Sequence, residues 1–388
     1  MPRKRTAREL DGRSREILTA AIKLHIATGE PVGSRTLSRQ LGQSLSAATI
    51  RNVMADLEEE GYLAQPHTSA GRIPTDQGYR FYVDSLIADF DARPSRSDEA
   101  FINRQLFSNP EVTQEHLMER ASHLLSDLSS HVGVVLSPPL SQDILQHIEF
   151  VKLADRRILV ITVSRAGLVR DFVVRLDEDL PQDELNRTAR YIAENFAGRS
   201  LSAVRIELLR RMSEEKALYD RLLKNAILLC NRDLGTTGED TAIYVDGTVN
   251  MLDSGDFTDT ERMKAIFRMF EEKGRLVKIL NQCLAAVGRG GVLVRIGTEN
   301  ATPGLRDVTI VTAPYSYRNQ VMGSISVVGP TRMKYARIMR VVGYVARLFD
   351  QVLSDPNGAT PFPGAILGAS GGPIEWVHIP DEPRPGLE

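Results

Sequence analysis

The chain has 388 residues, enough for two or three domains at roughly 150 residues each. Its 48 Lys/Arg against 50 Asp/Glu give a formal net charge of −2, which excludes a uniformly basic binder, and 42% apolar residues supply a real core. No apolar run approaches the ~18 residues of a membrane span. The start, MPRKRTAREL, lacks the apolar segment of a secretory signal, and Cys230 and Cys283 lack CxxC spacing, so a disulfide framework and a cysteine-rich zinc site are excluded. These features point to a cytoplasmic chain without a membrane partner.

Residues 1–53 carry ten Lys/Arg against four Asp/Glu, a local excess of six positive charges in a chain that is otherwise negative. Such a concentrated field suits a polyanion, because displaced counterions supply much of the affinity. A first helix is predicted from Arg13 to Ala27, stopped by Gly29-Glu30-Pro31. Ser34 reads as the cap of a short helix with Leu37 and Leu41, closed by Gly42. Ser46 caps a third helix in which Ile50, Val53, Met54 and Leu57 recur at i, i+3, i+4, i+7, and Gly61 ends it. Helix, tight turn and helix is the helix-turn-helix arrangement. Tyr62–Gln65 then reads as a strand, Pro66–Arg72 as a polar tip and Ile73 as the start of a return strand. That hairpin is the wing of a winged helix. Thr75 caps a further helix with Tyr79, Tyr82 and Leu86, and residues 91–98 read as a linker.

From 100 to 354 the pattern is mixed. Helices are expected at 111–130, 183–196, 203–231, 259–286 and 331–353. Strands are expected at Val132–Leu136, Ile148–Leu153, Ile158–Val163, Leu168–Leu176, Thr241–Leu252, Gly291–Ile296, Val308–Thr312 and Val321–Val328. Strands that stop for a helix-rich stretch and then resume suggest a domain inserted into an α/β parent. We place that insert at 203–288, in a parent spanning 100–202 and 289–354, after a DNA-binding domain at 1–90. Residues 354–388 hold seven prolines and six glycines, so 355–388 reads as a disordered tail.

No enzyme signature emerges. The glycine-rich run at Gly288 lacks the Lys-Ser/Thr of a phosphate loop and precedes a strand, no GxSxG occurs, and neither cysteine neighbours a histidine. His116, His123 and His131 lack the i, i+3 or i, i+4 spacing of metal ligands, so no catalytic, metal or cofactor site is assigned. The third helix is different. At 100° per residue its outward side is Ala48, Arg51, Asn52 and Ala55. Arg pairs bidentately with guanine and Asn with adenine in the major groove, and two small residues allow close approach. Ser44, Ser46, Thr49 and the helix N-terminus suit phosphate. His67, Thr68, Ser69 and Arg72 offer donors at the hairpin tip beside Gly71, and Arg3, Lys4, Arg5 and Arg8 form a basic arm.

The runs GEPVGSRTLS (29–38), SAATIRNVMADLEEEGYL (46–63) and QPHTSAGRIPTDQGYRFYVD (65–84) closely resemble the HrcA family of bacterial heat-inducible transcription repressors. YVDGTVN (244–250), RIGTEN (295–300) and GPTRMKY (329–335) are similar to that family's later motifs, with Lys334 where the family more often has an acid. The resemblance covers about residues 8–350. It implies an α+β multidomain protein: an N-terminal winged helix-turn-helix and a GAF-like α/β domain with an inserted dimerisation domain. It further implies a homodimer on double-stranded DNA, at an inverted-repeat operator called CIRCE upstream of chaperone genes, kept active by the chaperonin GroEL. Two rival readings are a regulator that senses a small molecule through the GAF-like domain, and a winged helix used for protein contacts.

Overall fold

The computed structural model describes residues 10–42, 45–67, 70–88, 93–107, 114–137, 144–164, 169–176, 179–196, 198–199, 203–204, 207, 242–253, 255–256, 260–286, 291–300, 302–317 and 320–354. The long helix expected at 203–231, the arm and the tail lie outside them, apart from residues 203, 204 and 207.

The chain opens with three helices: α1 (Gly12–Thr28), α2 (Ser34–Gln40) and α3 (Ala47–Glu59). Asp11 caps α1 by accepting from the Ser14 N–H at 2.7 Å, and Gly29 ends it in the left-handed region. The cap of α2 is Gly33, with Ser34 as the first helical residue; the cap makes no side-chain hydrogen bond. Strands β1 (Leu63–Ala64) and β2 (Ile73–Pro74) form the antiparallel hairpin, and an isolated bridge between Val32 and Arg72 ties it to the α1–α2 turn. Thr75 starts α4 (Asp76–Ala88), its hydroxyl accepting from the Gly78 N–H at 3.2 Å. Ile17, Leu18, Ile22, Leu37, Ile50, Met54, Leu57, Leu63, Tyr79 and Val83 fill the space between these elements. A helix with no counterpart among the expected elements, α5 (Arg96–Phe107), begins inside the expected linker and buries Ile102 and Leu106.

The body is built on α6 (Gln114–Ser129) and a five-stranded antiparallel sheet. Its strands are β3 (Val132–Leu136), β7 (Ile243–Asp246), β8 (Leu293–Ile296), β9 (Val308–Tyr317) and β10 (Gln320–Pro330), in the order β7-β3-β10-β9-β8. Side chains alternate between the two faces, as strand geometry requires. Val135, Val311, Ala313, Tyr315, Ile325 and Val327 pack with α6 and the C-terminal helix α11 (Tyr335–Ser354). Val132, Val134, Leu136, Val308, Ile310 and Val328 pack on the other side with α9 (Thr260–Glu271) and α10 (Lys273–Ala286). The first of these cores is continuous with the one between α1–α4 and the hairpin.

Between β3 and β7 the chain builds a separate three-stranded meander, β4 (Leu145–Lys152), β5 (Arg157–Ser164) and β6 (Val169–Arg175), followed by α7 (Gln182–Phe196). Ile148, Phe150, Ile158, Val160 and Val174 face Leu185, Ile192 and Phe196 of α7 in a core of their own. This placement departs from the insert expected at 203–288. The strands at 145–175 belong to the inserted unit, whereas α9 and α10 share the core of the parent sheet. The strand expected over Thr241–Leu252 ends at Asp246, and Asn250–Asp253 forms the short helix α8. The helical stretch expected at 259–286, with a weak point at Gly274, is two helices, α9 and α10, parted at Glu272.

Candidate nucleic-acid interface

Ser46 fixes the start of α3. Its Oγ accepts from the Thr49 N–H at 3.1 Å and lies 2.9 Å from the Thr49 hydroxyl, which satisfies one of the donors orphaned at a helix N-terminus. From there the 3.6-residue period decides the faces. Ile50, Met54 and Leu57 are fully buried, and Ala48, Arg51 and Asn52 are exposed on the opposite side. Ala55, expected outward, is half-buried, as is Val53. The exposed guanidinium and carboxamide are adjacent, one turn from the N-terminus, with no bulky side chain between them and the capped end. Arg35 and Arg39 on α2 are exposed as well and add to the positive charge beside α3. Asp56, Glu59 and Glu60 are exposed at the far end of α3.

The hairpin is held against this helix by contacts that no local pattern reveals. Arg72 and Val32 exchange backbone hydrogen bonds of 2.8 and 2.9 Å. Gly71 makes the approach feasible, because a Cβ there would stand 2.5 Å from the Val32 carbonyl oxygen. The Arg72 side chain turns toward α3, where its Nε donates to Glu58 Oε2 at 2.7 Å in a partly buried ion pair. Arg72, expected among the tip donors, thus pairs through its Nε with α3. His67 is exposed at the tip, and Gln65 Nε2 bridges the turn to the Ala70 carbonyl at 3.0 Å. Thr68, Ser69 and Ser44 lie outside the described residues. No helix among the described residues is long and apolar enough to cross a membrane.

The chain therefore presents a polar, electropositive helix face on a small unit fused to a mixed helix-and-sheet body. A solved structure of a hypothetical protein shares this fold, with a TM-score of 0.62 at 22% identity over 89% of this chain and 99% of that one. The family model for the HrcA protein C terminal domain matches residues 115–339. Among full-length relatives, the heat-inducible transcription repressor HrcA of Geobacter sulfurreducens is 41% identical, the match covering 89% of this chain and 98% of that protein. The repressor of the same name from Syntrophobacter fumaroxidans is 39% identical over 90% and 99% of the two chains. The one from Xanthomonas campestris is 37% identical over 90% and 97%. These relatives are transcription repressors by name, a non-enzymatic class. The chain belongs to the HrcA family of heat-inducible transcription repressors.

Proposed function

We propose that the chain represses heat-shock genes as a homodimer, with residues 10–88 acting as a winged helix that sets α3 into the major groove of an inverted-repeat operator of the CIRCE type. One observation carries this reading: Arg51 and Asn52 stand exposed and adjacent on a helix whose opposite face is fully buried. In this reading Arg51 and Asn52 read base edges, and Ala48 allows close approach. Ser46, Thr49 and the α3 N-terminus meet phosphate, together with His67, Thr68 and Ser69 of the wing. Arg72 acts as a positioning residue that holds the wing against α3 through Glu58.

An inverted repeat demands a two-fold partner. The outward face of the three-stranded sheet supports a second copy there. Val151, Leu159, Ile161 and Val163 are half-buried on that face, and Val169 and Val173 are 63% and 48% exposed beside them on the last strand of the sheet. Apolar side chains gathered on an exposed sheet face, with Glu149 and Asp171 flanking Ile161 among them, suit such an interface. Topology also supports dependence on the chaperonin GroEL. Strand β3 must find β7 across more than a hundred residues and then pair with Ser324–Val328 of β10. Such non-local pairing is slow and leaves sheet edges open, the state on which a chaperonin acts.

A footprint of the purified protein on the DNA upstream of its own gene tests the reading. Protection of two symmetric half-sites is expected. Arg51→Ala and Asn52→Ala should each cost about 1–3 kcal/mol of discrimination per half-site and leave non-specific binding nearly unchanged. If Arg51→Ala keeps the wild-type ratio of specific to random DNA binding, α3 is not the reading helix.

A further inference from the structure

The motifs RIGTEN (295–300) and GPTRMKY (329–335) lie in the body, and their side chains reach back to the helix-turn-helix unit. Arg80 of α4 donates through Nε to Glu299 Oε1 at 2.6 Å and through Nη2 to Glu299 Oε2 and to the Val294 carbonyl, the latter at 2.6 Å. Glu299 is itself steadied by the Ile296 N–H, 2.8 Å from its Oε2. One turn earlier on α4, the Asp76 carboxylate accepts from the Thr298 N–H at 2.9 Å. Gly297 permits that contact: its φ is +50°, and a Cβ on it would stand 2.3 Å from Asp76 Oδ2. Burial works against the Arg80 charge, but the carboxylates of Glu299 and Asp84 outweigh it and hold the guanidinium in its charged form.

A second point of attachment lies at the end of α1. Arg332 is gripped by Asp256, Nε to Oδ1 at 2.6 Å and Nη2 to Oδ2 at 3.0 Å, while Nη1 reaches the Ile26 carbonyl at 3.4 Å. Its guanidinium lies over Gly29, the left-handed cap of α1, so a fixed cation faces the negative end of that helix. Between the two points, His25 Nδ1 and the Tyr79 hydroxyl share a 2.8 Å hydrogen bond, and the Tyr79 ring packs on Tyr335 at 5.8 Å between centroids. Apolar contact alone is non-directional. The bidentate Arg80–Glu299 pair and the Asp76–Thr298 contact cross the junction, while the Asp256–Arg332 pair, internal to the body, fixes the guanidinium that meets the Ile26 carbonyl; directional contacts at separate points fix angle as well as distance.

We infer that this junction is a positioning device for operator recognition. Asp76, Arg80, Asp256, Glu299 and Arg332 hold α3 at one orientation to the body, so that a dimer offers its two reading helices at a single spacing. The inference rests on the DNA reading above. Rigid presentation raises the effective concentration of the second reading helix once the first has bound, and so governs affinity for the whole repeat without touching DNA.

The test uses full-length protein and two duplexes, one carrying the whole inverted repeat defined by the footprint and one carrying a single half. The wild type should prefer the whole repeat by at least ~100-fold. Glu299→Ala, Arg80→Ala and Arg332→Gln should each reduce that preference at least ~10-fold, with half-site affinity retained and sedimentation still showing a dimer. Should Arg80→Ala fail to fold, Arg332→Gln carries the test from the more peripheral attachment point. Folded Glu299→Ala and Arg332→Gln proteins that keep the wild-type preference would overturn the inference, as would a parallel loss of half-site and whole-repeat affinity. A wild type that binds neither duplex would overturn the DNA reading itself, and this inference with it.

Discussion

A single methyl group at position 71 probes the contact that locks the β1–β2 hairpin in place. In Gly71→Ala the new Cβ would stand 2.5 Å from the Val32 oxygen, 2.6 Å from the Val32 carbonyl carbon and 2.9 Å from the Pro31 carbonyl carbon. All three neighbours are backbone atoms, so no side chain can swing aside. The two segments must part, and the paired hydrogen bonds between Val32 and Arg72, 2.8 and 2.9 Å long, must stretch or break. Each is worth about 0.5–1.5 kcal/mol, and forced repacking adds about 1–3 kcal/mol, for a loss of about 2–6 kcal/mol. The loss should fall on the N-terminal unit of α1–α4 first and also loosen the Arg72–Glu58 pair, because both depend on the same backbone. Gly12→Ala is the matched control. Nothing lies within 4 Å of a Cβ there, and Gly12 opens α1, so that variant should be neutral or gain about 0.4–1 kcal/mol. Thermal melting followed by circular dichroism and operator binding in a salt series report the two effects. A Gly71→Ala protein that melts with the wild type and binds DNA equally well would refute the close approach.

Two further outcomes follow from the body. Val173→Asp, on the outward face of the three-stranded sheet, should convert the dimer to monomer in sedimentation while leaving the melting temperature of the monomer fold nearly unchanged; a persistent dimer would move the interface elsewhere. Burial lifts the Asp350 carboxyl to about 6, even though the Ser316 N–H donates to it and Arg347 is near. The unfolded chain gives up that proton near pH 4, so the folded state loses stability as pH rises from there through about 6 and carries the full loss at neutral pH. Asp350→Asn keeps an acceptor for Ser316 and should raise Tm by a few degrees at about pH 7.5, with the gain shrinking toward pH 4; a gain independent of pH would assign it to another cause.

What is legible in the sequence divides along a physical line. Helix α3 can be read because everything that defines it is local: the Ser46 cap, the apolar residues three and four apart, and Gly61 beyond its end. Its outward face follows from angular arithmetic, and Ala55 departs from it because that residue sits at the edge between the two faces. The three-stranded meander is legible strand by strand but not as a unit. The alternation of Ile158, Val160 and Thr162 with their neighbours is the same whichever sheet the strand joins, and only the pairing of β3 with β7 and β10 shows that β4–β6 stand apart. Pattern alone therefore groups β4–β6 with the parent sheet, whereas their separate sheet and core are set by pairing partners.

The same distinction explains why the proposed reading face emerges from the sequence and the junction does not. A residue that acts on something outside the chain is conspicuous for want of an internal purpose: Arg51 and Asn52 lie on the face of α3 turned away from the core, so their chemistry is what explains them. A junction residue is spoken for inside the chain, by a partner at any distance along it. Glu299 meets Arg80 from 219 positions away, and Arg332 reaches Ile26 across 306. In sequence such residues look like ordinary surface charge. In the folded chain they tie α1 and α4 to the body, and on the proposed reading that tie coordinates two tasks of a dimeric repressor, reading one half-site and holding the spacing to the next.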